Sequence, residues 1–472
     1  MIGEPDRPGV AHGDRTESVL HDEEPTATST WARLCVVSPR EVAAIHPLPR
    51  GTTLGREPGS KGLRVPHKTV SRRHLELRAE GRHDTFVVAD LGSRNGSWIN
   101  AVPVGSVPRV LRSGDVLRLG EVVAVFEQGS GVLEERGGVS TAAVVGRSAG
   151  AIALRNGIAR AAADASPVLI IGESGTGKES VAHELHRLSG RAGPLVIANC
   201  ATLTSSLADS QLFGHERGAF TGAVRAQPGL FRSASGGSLF LDEIGELPLE
   251  LQPKLLRAVE RGEVVPLGDT RTITVDTRII AATHRDLVAA VEEGGFRRDL
   301  YARLSLARIH VPRLAERRAD LLVWIDVLHQ RWQADRGVGA PPFEFSGEAV
   351  EVLLLHDWPE NLRGLDHLVR ELATDAASGS PPARISRARL AAWARPCVPS
   401  SATVSTPLPP PVEPEPTPTP AREARPPKPT REELLAVLED EQWNLRAVAR
   451  HYARDRRQIY RWVEAYGIEL RR

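Results

Sequence analysis

The chain is 472 residues long, with 41% hydrophobic and 25% charged residues, proportions that are ordinary for globular proteins. This length suits two to four domains better than a single core. The formal net charge of +1 excludes a general polyanion binder, so any nucleic-acid surface must be local.

Cysteine usage and hydropathy narrow the class of protein further. Cys35, Cys200 and Cys397 lie far apart in the sequence, which is typical neither of a disulfide framework nor of a zinc site. No basic region followed by an apolar stretch opens the chain, and no apolar run approaches the ~18 residues of a membrane span. These features predict a cytoplasmic protein with no membrane partner.

The residue composition changes twice within the first 143 residues of the chain. Residues 1–30 are polar and lack periodicity, which predicts a disordered leader. Over residues 31–127, short apolar runs are broken by Gly, Pro and Asn, and this pattern predicts a small β-sandwich. The Gly- and Glu-rich residues 128–143 predict a linker.

The remaining chain predicts an α/β domain followed by helices. Over residues 144–314, apolar strands alternate with helical stretches, which predicts a parallel sheet, and residues 315–395 read as a helical lid. Residues 396–430 are dense in proline and predict an extended linker. Helical periodicity with many arginines returns over residues 431–472.

A glycine-rich string follows the apolar residues 168–171 and precedes a helical stretch. Such a loop turns its backbone N–H groups around phosphates, with a lysine adding positive charge. A chance turn is the alternative, but a second motif downstream argues against it. The generic pattern ends in Ser or Thr, and this chain has Glu there. The candidate nucleotide-binding residues are Gly172, Glu173, Ser174, Gly175, Thr176, Gly177, Lys178 and Glu179.

The downstream motif is a short hydrophobic strand that ends in Asp242 and Glu243. Asp242 is the candidate ligand of Mg²⁺, directly or through water, and Glu243 is placed to polarise the attacking water. Two adjacent acids alone are more often a solvated turn. Together with the phosphate loop they predict ATP hydrolysis.

Residues from about 144 to 380 resemble the AAA+ domain of bacterial enhancer-binding proteins, the sigma-54-dependent activators. The resemblance rests above all on a six-residue string, and it implies that this loop contacts sigma-54 and moves with the nucleotide state. A phenylalanine among small residues also suits a flexible loop with one exposed aromatic anchor; an ordinary turn with a buried phenylalanine is the alternative. The string is Gly218, Ala219, Phe220, Thr221, Gly222 and Ala223.

The same resemblance assigns roles to five further residues. It implies that Asn199 pairs with the catalytic glutamate, that Thr283 is a sensor, and that Arg363 faces the nucleotide. Arg297 and Arg303 match two arginine fingers, which reach the γ-phosphate of a neighbouring subunit and so make hydrolysis depend on a ring. The family also carries Glu where Glu179 stands. Two departures are His284, where Asn is frequent, and Gly364, where Glu is usual.

The N-terminal sandwich resembles a forkhead-associated (FHA) domain, which binds phosphothreonine. The resemblance implies that Arg56 and Ser71 contact the phosphate, that Asn95 holds the peptide backbone and that Arg72 adds charge. His74 is expected to be a buried brace of the loop. A sandwich that no longer binds phosphate is the alternative.

The C-terminal residues 431–472 resemble the Fis-type helix-turn-helix domain of the same activators, with a second helix that enters the major groove. An arginine-rich helix pair that serves as an oligomer contact is the alternative. The candidate DNA-binding residues are Arg454, Arg456, Arg457 and Arg461.

These resemblances together imply a multidomain fold and a transcription regulator. A homo-oligomeric ring, a hexamer by resemblance, would use ATP and Mg²⁺ to remodel the sigma-54 RNA polymerase holoenzyme from upstream promoter DNA, under control of a phosphothreonine-containing partner. Two alternatives are a phosphopeptide- and DNA-binding scaffold without ATPase activity, and an AAA+ regulator that no longer acts on sigma-54.

Overall fold

The computed structural model describes residues 30–81, 85–135, 137–203, 205–339, 341–377 and 384–390, and, in the C-terminal part, 429, 431–440, 443, 448, 451–452, 459, 462–463, 466 and 468. Contacts divide the chain into two units, Met1–Val398 and Pro399–Arg472. In the described residues, no helix combines the length and apolar character needed to cross a membrane.

Two sheets of short, mostly antiparallel strands face each other at the start of the first unit. One sheet has the order β2-β1-β11-β10-β7-β8 and the other β4-β3-β5-β6-β9. Between them lies a dry core that includes Leu34, Leu54, Leu75 and Phe126, all fully buried. The strands are β1 (Thr30–Ser38), β2 (Ala44–Pro47), β3 (Gly51–Gly55), β4 (Leu63–Arg64), β5 (Leu75–Glu80), β6 (Thr85–Asp90), β7 (Ser97–Ile99), β8 (Val102–Val104), β9 (Arg109–Val110), β10 (Val116–Leu119) and β11 (Val122–Ser130).

A five-stranded, wholly parallel sheet follows, with the order β13-β14-β17-β12-β18. Helices cover both faces, so its strands are continuous hydrophobic runs. Its elements are α1 (Ala149–Ala162), β12 (Val168–Ile171), α2 (Lys178–Leu188), β13 (Leu195–Asn199), α3 (Ser205–Phe213), α4 (Gly229–Ser233), β14 (Ser238–Asp242), α5 (Gln252–Arg261), β15 (Glu263–Val264), β16 (Ile273–Thr274), β17 (Arg278–Thr283), α6 (Leu287–Glu292), α7 (Arg298–Leu304) and β18 (Ala307–His310). The predicted sandwich and parallel α/β core are confirmed.

Three longer helices complete the first unit: α8 (Leu321–Arg336), α9 (Gly347–Leu355) and α10 (Asn361–Ala377). They lie within the segment predicted as a helical lid, for which the name lid is kept, and their core includes Trp324, Val350 and Trp358. The same buried cluster contains Val123 and Val125 of the sandwich. This sharing explains why β11 is buried on both faces from Val122 to Glu127, where a lone sandwich would alternate buried and exposed residues.

The second unit contains helix α11 (Arg431–Asp440). Its described core includes Leu434, Leu438, Ile459 and Trp462, and the Tyr452 ring meets the Trp462 ring edge-on at 5.8 Å. The helix-turn-helix is not established by these residues. Outside the described residues lie the leader up to residue 29, most of the Pro-rich linker, and the candidate DNA-binding residues Arg454, Arg456, Arg457 and Arg461.

Candidate nucleotide site and the binding surfaces around it

The phosphate loop connects β12 to α2 and curls around the lysine at the start of that helix. Gly177 caps α2 with φ 100°, in the left-handed region, which favours glycine because it has no Cβ. The buried Lys178 ammonium donates to the Gly172 carbonyl at 3.0 Å and lies 3.4 Å from Glu243 Oε1. Thr176 Oγ1 donates to the Glu173 carbonyl at 2.8 Å. The loop therefore holds a cation at a helix N-terminus, as phosphate binding requires.

The two acids lie at the carboxyl edge of the sheet, as the sequence predicted: Asp242 is the last residue of β14, and Glu243 follows it. Burial raises the pKa of Asp242, and the neighbouring charge of Glu243 adds to this effect. Burial also acts to raise the pKa of Glu243, but the hydrogen bond from His284 and the charge of Lys178 outweigh it, so that this pKa is lowered. Glu243 is consequently held as a carboxylate, the form that polarises water.

The Asp242 carboxylate fits a magnesium ion that is shared with nucleotide phosphates. It is half-buried beside Lys178, and Oδ1 accepts the Glu243 amide at 3.0 Å. Mg²⁺ in phosphoryl-transfer sites takes one or two carboxylates together with water and phosphate oxygens. One half-buried carboxylate at this edge meets that requirement.

The Glu243 carboxylate has a different partner from the expected one. His284 Nδ1 lies 2.6 Å from Glu243 Oε2. The Asn199 side chain instead accepts the Ala201 amide at 2.9 Å, although Asn199 pairs with Asp242 in the register of β13 and β14. Thr283 is buried at the end of β17 and accepts the Arg285 amide at 3.0 Å. Among the described contacts, Glu243 is held by Lys178 and by His284, the residue after Thr283, and not by Asn199.

The lid reaches the phosphate loop through Arg363 and through two residues that sequence reasoning missed. Arg363 Nη1 donates to Ser174 Oγ at 3.1 Å. The fully buried Asn361 donates to the Ser174 carbonyl at 3.0 Å and accepts the Leu314 amide at 2.9 Å. Arg317, also fully buried, donates to the Thr176 carbonyl at 2.9 Å. The position of Asn361, two residues before Arg363, is the one local feature of the sequence that points to its contact with the phosphate loop. No local feature of the sequence points to Arg317.

The two candidate arginine fingers lie on the surface of the protomer. Arg297 pairs with Asp299 at 2.7 Å, and Arg303 pairs with Glu260 at 2.5 Å. Both side chains are about half-exposed. Within the described residues, the ion pairs of both guanidinium groups are with acidic side chains on the same surface, and not with residues of the phosphate loop.

The candidate sigma-54 loop forms a closed turn between α3 and α4. The Gly218 amide donates to the Ala223 carbonyl at 2.9 Å. Phe220 is 38% exposed and meets the His215 ring edge-on at 5.0 Å, and Thr221 is exposed. The alternative of a buried phenylalanine is therefore wrong, and the loop presents an aromatic side chain to solvent.

The candidate phosphopeptide residues come together at one end of the sandwich. The Arg56 amide donates to the Ser71 carbonyl at 2.8 Å, and Ser71 Oγ accepts the Arg94 amide at 3.0 Å. Asn95 Nδ2 donates to the Thr69 carbonyl at 2.8 Å. The side chains of Arg56 and Arg72 are exposed beside them. A guanidinium, a hydroxyl and an amide on adjacent loops form a surface suited to a phosphorylated peptide.

Beneath these loops lies His74, which is fully buried. Its Nδ1 accepts the Ser71 amide at 3.0 Å, and its Nε2 lies 3.1 Å from the Gly96 carbonyl. Burial lowers the pKa of the imidazole. His74 therefore braces the loops as a neutral side chain.

Comparison with known proteins matches both halves of the first unit. The model of the sigma-54 interaction domain matches residues 144–310, and the model of the FHA domain matches residues 52–120. The regulatory protein LuxO of Vibrio cholerae serotype O1 is 46% identical over 234 residues, which cover 49% of this chain and 44% of that protein. The transcriptional regulatory protein ZraR of Escherichia coli K12 is 47% identical over 227 residues, which cover 48% of this chain and 51% of ZraR.

The chain thus spans about half the length of these curated relatives. Among solved structures, NtrX from Brucella abortus in complex with ATP is 30% identical, with a TM-score of 0.48, over 69% of each chain.

Proposed function

Because this chain belongs to the family of sigma-54-dependent transcription regulators and carries an FHA domain beside the activator domain, we propose that it hydrolyses ATP in a homo-oligomeric ring to remodel sigma-54 RNA polymerase. The observation that carries the proposal is the convergence of Lys178, Asp242 and Glu243 at one edge of the sheet. The protein acts in the cytoplasm.

Three side chains at this edge have separate roles in ATP hydrolysis. The Lys178 ammonium binds the β- and γ-phosphates. Asp242 would hold Mg²⁺, which would supply positive charge to the phosphate oxygens. The Glu243 carboxylate orients the water that attacks the γ-phosphorus. The bond to the β,γ-bridging oxygen breaks, and ADP and inorganic phosphate leave.

ATP hydrolysis is coupled to other molecules through surfaces away from the carboxyl edge of the parallel sheet. Arg297 and Arg303, exposed on each protomer, reach the γ-phosphate of a neighbour in a ring that we take to be a hexamer. The exposed Phe220 and Thr221 contact sigma-54. Arg56, Ser71, Arg72 and Asn95 bind a phosphothreonine-containing protein, and Arg454, Arg456, Arg457 and Arg461 bind upstream promoter DNA.

Turnover of ATP distinguishes this function from a non-enzymatic scaffold. Lys178→Ala and Glu243→Gln should abolish hydrolysis, because the first removes the phosphate-binding cation and the second removes the charge that orients water. Wild-type turnover in either variant would contradict the assignment.

Sigma-54 binding distinguishes it from a regulator with another target. The purified protein should bind isolated sigma-54 when it holds a transition-state analogue of ATP. Thr221→Ala should lose this complex, whereas Leu249→Ala, which shortens a half-exposed leucine elsewhere on the surface, should keep it. Normal hydrolysis without any complex would leave the sigma-54 assignment without support.

A further inference from the structure

The FHA sandwich is packed against the lid by a face that an isolated domain would expose. Cys35, Val116, Val123 and Val125 on β1, β10 and β11 are at most 2% exposed, and they share one buried cluster with lid residues such as Trp324. Burial of apolar side chains on this scale stabilises one relative position of sandwich and lid.

A buried ion pair fixes the register of this contact. Arg118 Nε on β10 donates to Glu351 Oε2 on α9 at 2.8 Å, and the two side chains are only 9% and 5% exposed. Glu351 Oε1 also accepts the Ala101 amide at 2.9 Å, and the Arg118 guanidinium lies 3.6 Å from the centre of the Trp98 ring. A buried pair with this degree of hydrogen bonding favours one geometry, because any displacement leaves a charge unpaired in the interior.

The same sandwich also contacts the α/β core. Glu127 Oε2 on β11 accepts Arg33 Nε at 2.8 Å and the Ala149 amide at 3.2 Å. Arg33 Nη2 donates to the Arg147 carbonyl at 2.7 Å. Arg147 and Ala149 lie at the start of α1, in the core. The sandwich therefore contacts both the lid and the α/β core.

The candidate phosphopeptide loop is connected to the lid through Glu121. Thr69 Oγ1 accepts the Glu121 amide at 3.0 Å, and the Thr69 carbonyl accepts Asn95 Nδ2. Glu121 Oε2 accepts the Gly347 amide at 2.8 Å, at the first residue of α9, and pairs with Arg384 at 2.7 Å. A Cβ on Gly347 would come within 2.8 Å of the Glu121 carbonyl oxygen, so the two backbones are in close contact.

We infer that the FHA sandwich is a clamp that holds the lid against the ATPase core, and that a bound phosphothreonine peptide loosens the clamp through Asn95, Thr69 and Glu121. The inference rests on the proposed function and supplies its regulation. Catalytic cycles with lids need the lid to move, and a domain that binds both lid and core opposes that movement. The Asn95 amide that would hold the peptide backbone also donates to the Thr69 carbonyl. A peptide seated on Asn95 therefore acts on the residue whose hydroxyl accepts the Glu121 amide. Because such coupling is reciprocal, a weakened clamp also strengthens peptide binding.

Two variants of the full chain test the clamp. Glu121→Ala removes the acceptor of the Gly347 amide and the partner of Arg384, at a site that is one-third exposed. Glu351→Gln keeps the shape of the buried side chain and removes its charge. Glu80→Ala is the matched control, since Glu80 is an exposed acid of β5 in the same sandwich.

The readouts are ATP turnover without peptide, and affinity for a pool of phosphothreonine peptides with randomised flanking residues, with the unphosphorylated pool as reference. We expect both clamp variants to raise turnover and phosphopeptide affinity by about 5-fold or more, the lower range of measured couplings between sites, with Glu80→Ala unchanged. Wild-type turnover and affinity in both variants, or lower turnover, would overturn the clamp.

The two measurements, ATP turnover and phosphopeptide affinity, distinguish failure of the clamp from failure of the proposed function. Absence of turnover from the wild type and from both clamp variants would contradict the proposed ATPase, while the measured phosphopeptide affinities would still decide the clamp. A wild-type protein that hydrolyses ATP but binds no phosphopeptide would contradict the proposed recognition by the FHA domain, while the turnover measurement would still decide the clamp.

Discussion

His284 Nδ1 donates a hydrogen bond to Glu243 Oε2 across 2.6 Å. A carboxylate can only accept, so the proton of this hydrogen bond belongs to the Nδ1 atom. The other carboxylate oxygen, Oε1, lies 3.4 Å from the Lys178 ammonium. Both oxygens of the Glu243 carboxylate are thus held, one by the residue that follows β17 and one by the lysine of the phosphate loop.

Removal of this donor should shift the pH dependence of hydrolysis. The His284 hydrogen bond does the most to lower the pKa of Glu243 against the opposing effect of burial, so His284→Ala should raise that pKa. Because the carboxylate is the working form, the acidic limb of the kcat profile should move to higher pH. His367→Ala, at an exposed histidine of the lid, is the control. An acidic limb that stays in place would show that the hydrogen bond does not tune the glutamate.

Because an arginine finger acts on the nucleotide of a neighbouring subunit, mixing two inactive variants should restore part of the activity. Arg303→Ala should reduce turnover about 1,000-fold or more, as the loss of such a finger does, with little change in stability because its ion pair with Glu260 is exposed. Mixing it with Lys178→Ala subunits should restore part of the turnover, since the second variant supplies an intact Arg303 to an intact phosphate loop. Arg331→Ala, an exposed arginine of α8, is the control for each assay. No recovery in mixed rings would contradict action in trans.

Gly146 should tolerate no side chain. It has φ +111°, and a Cβ there would lie 2.1 Å from Cγ of Asp320. Oδ1 of the same carboxylate accepts the amides of Arg147 and Ser148 at 2.7 Å each. Gly146→Ala should destabilise the protein by roughly 2–4 kcal/mol, through backbone strain and loss of these bonds. Denaturant unfolding measures the change.

The matched substitution is Gly157→Ala in the middle of α1, where a Cβ meets nothing within 4 Å. It should stabilise the protein by about 0.5–1 kcal/mol, because alanine loses less entropy in a helix. Equal effects of the two substitutions would contradict the packing of Gly146 against Asp320.

The buried His74 should make the sandwich sensitive to acid. Burial lowers its pKa in the folded state, so the unfolded chain binds the extra proton first and stability falls as the pH drops below about 6.5, by at most ~1.4 kcal/mol per pH unit. His74→Gln should cost about 1–3 kcal/mol at pH 8 through its buried hydrogen bonds, and the difference from wild type should shrink on acidification. Unfolding measured across this pH range checks the trend. A difference that stays constant with pH would show that His74 does not titrate between the two states.

Much of the candidate nucleotide site was predictable because each of its two motifs is a short run of consecutive residues. The loop from Gly172 to Glu179 must join a strand to a helix, and Asp242 and Glu243 must end a buried strand, so local spacing alone places them at one edge of a parallel sheet. The exposed position of Phe220 was left open by the sequence, since a small-residue turn permits either orientation of the ring.

Alternation of strands and helices, the period of apolar residues and the glycine-rich loop determined the sandwich, the parallel core and the position of the phosphate-binding edge. Only the tertiary structure decided that His284 and not Asn199 holds Glu243, that Asn361 and Arg317 bind the phosphate loop, and that Arg118 meets Glu351. The physical reason is that these contacts join residues about 40 to 230 positions apart. Such pairs are set by how whole domains pack, and packing between distant segments leaves no periodicity or spacing within either one.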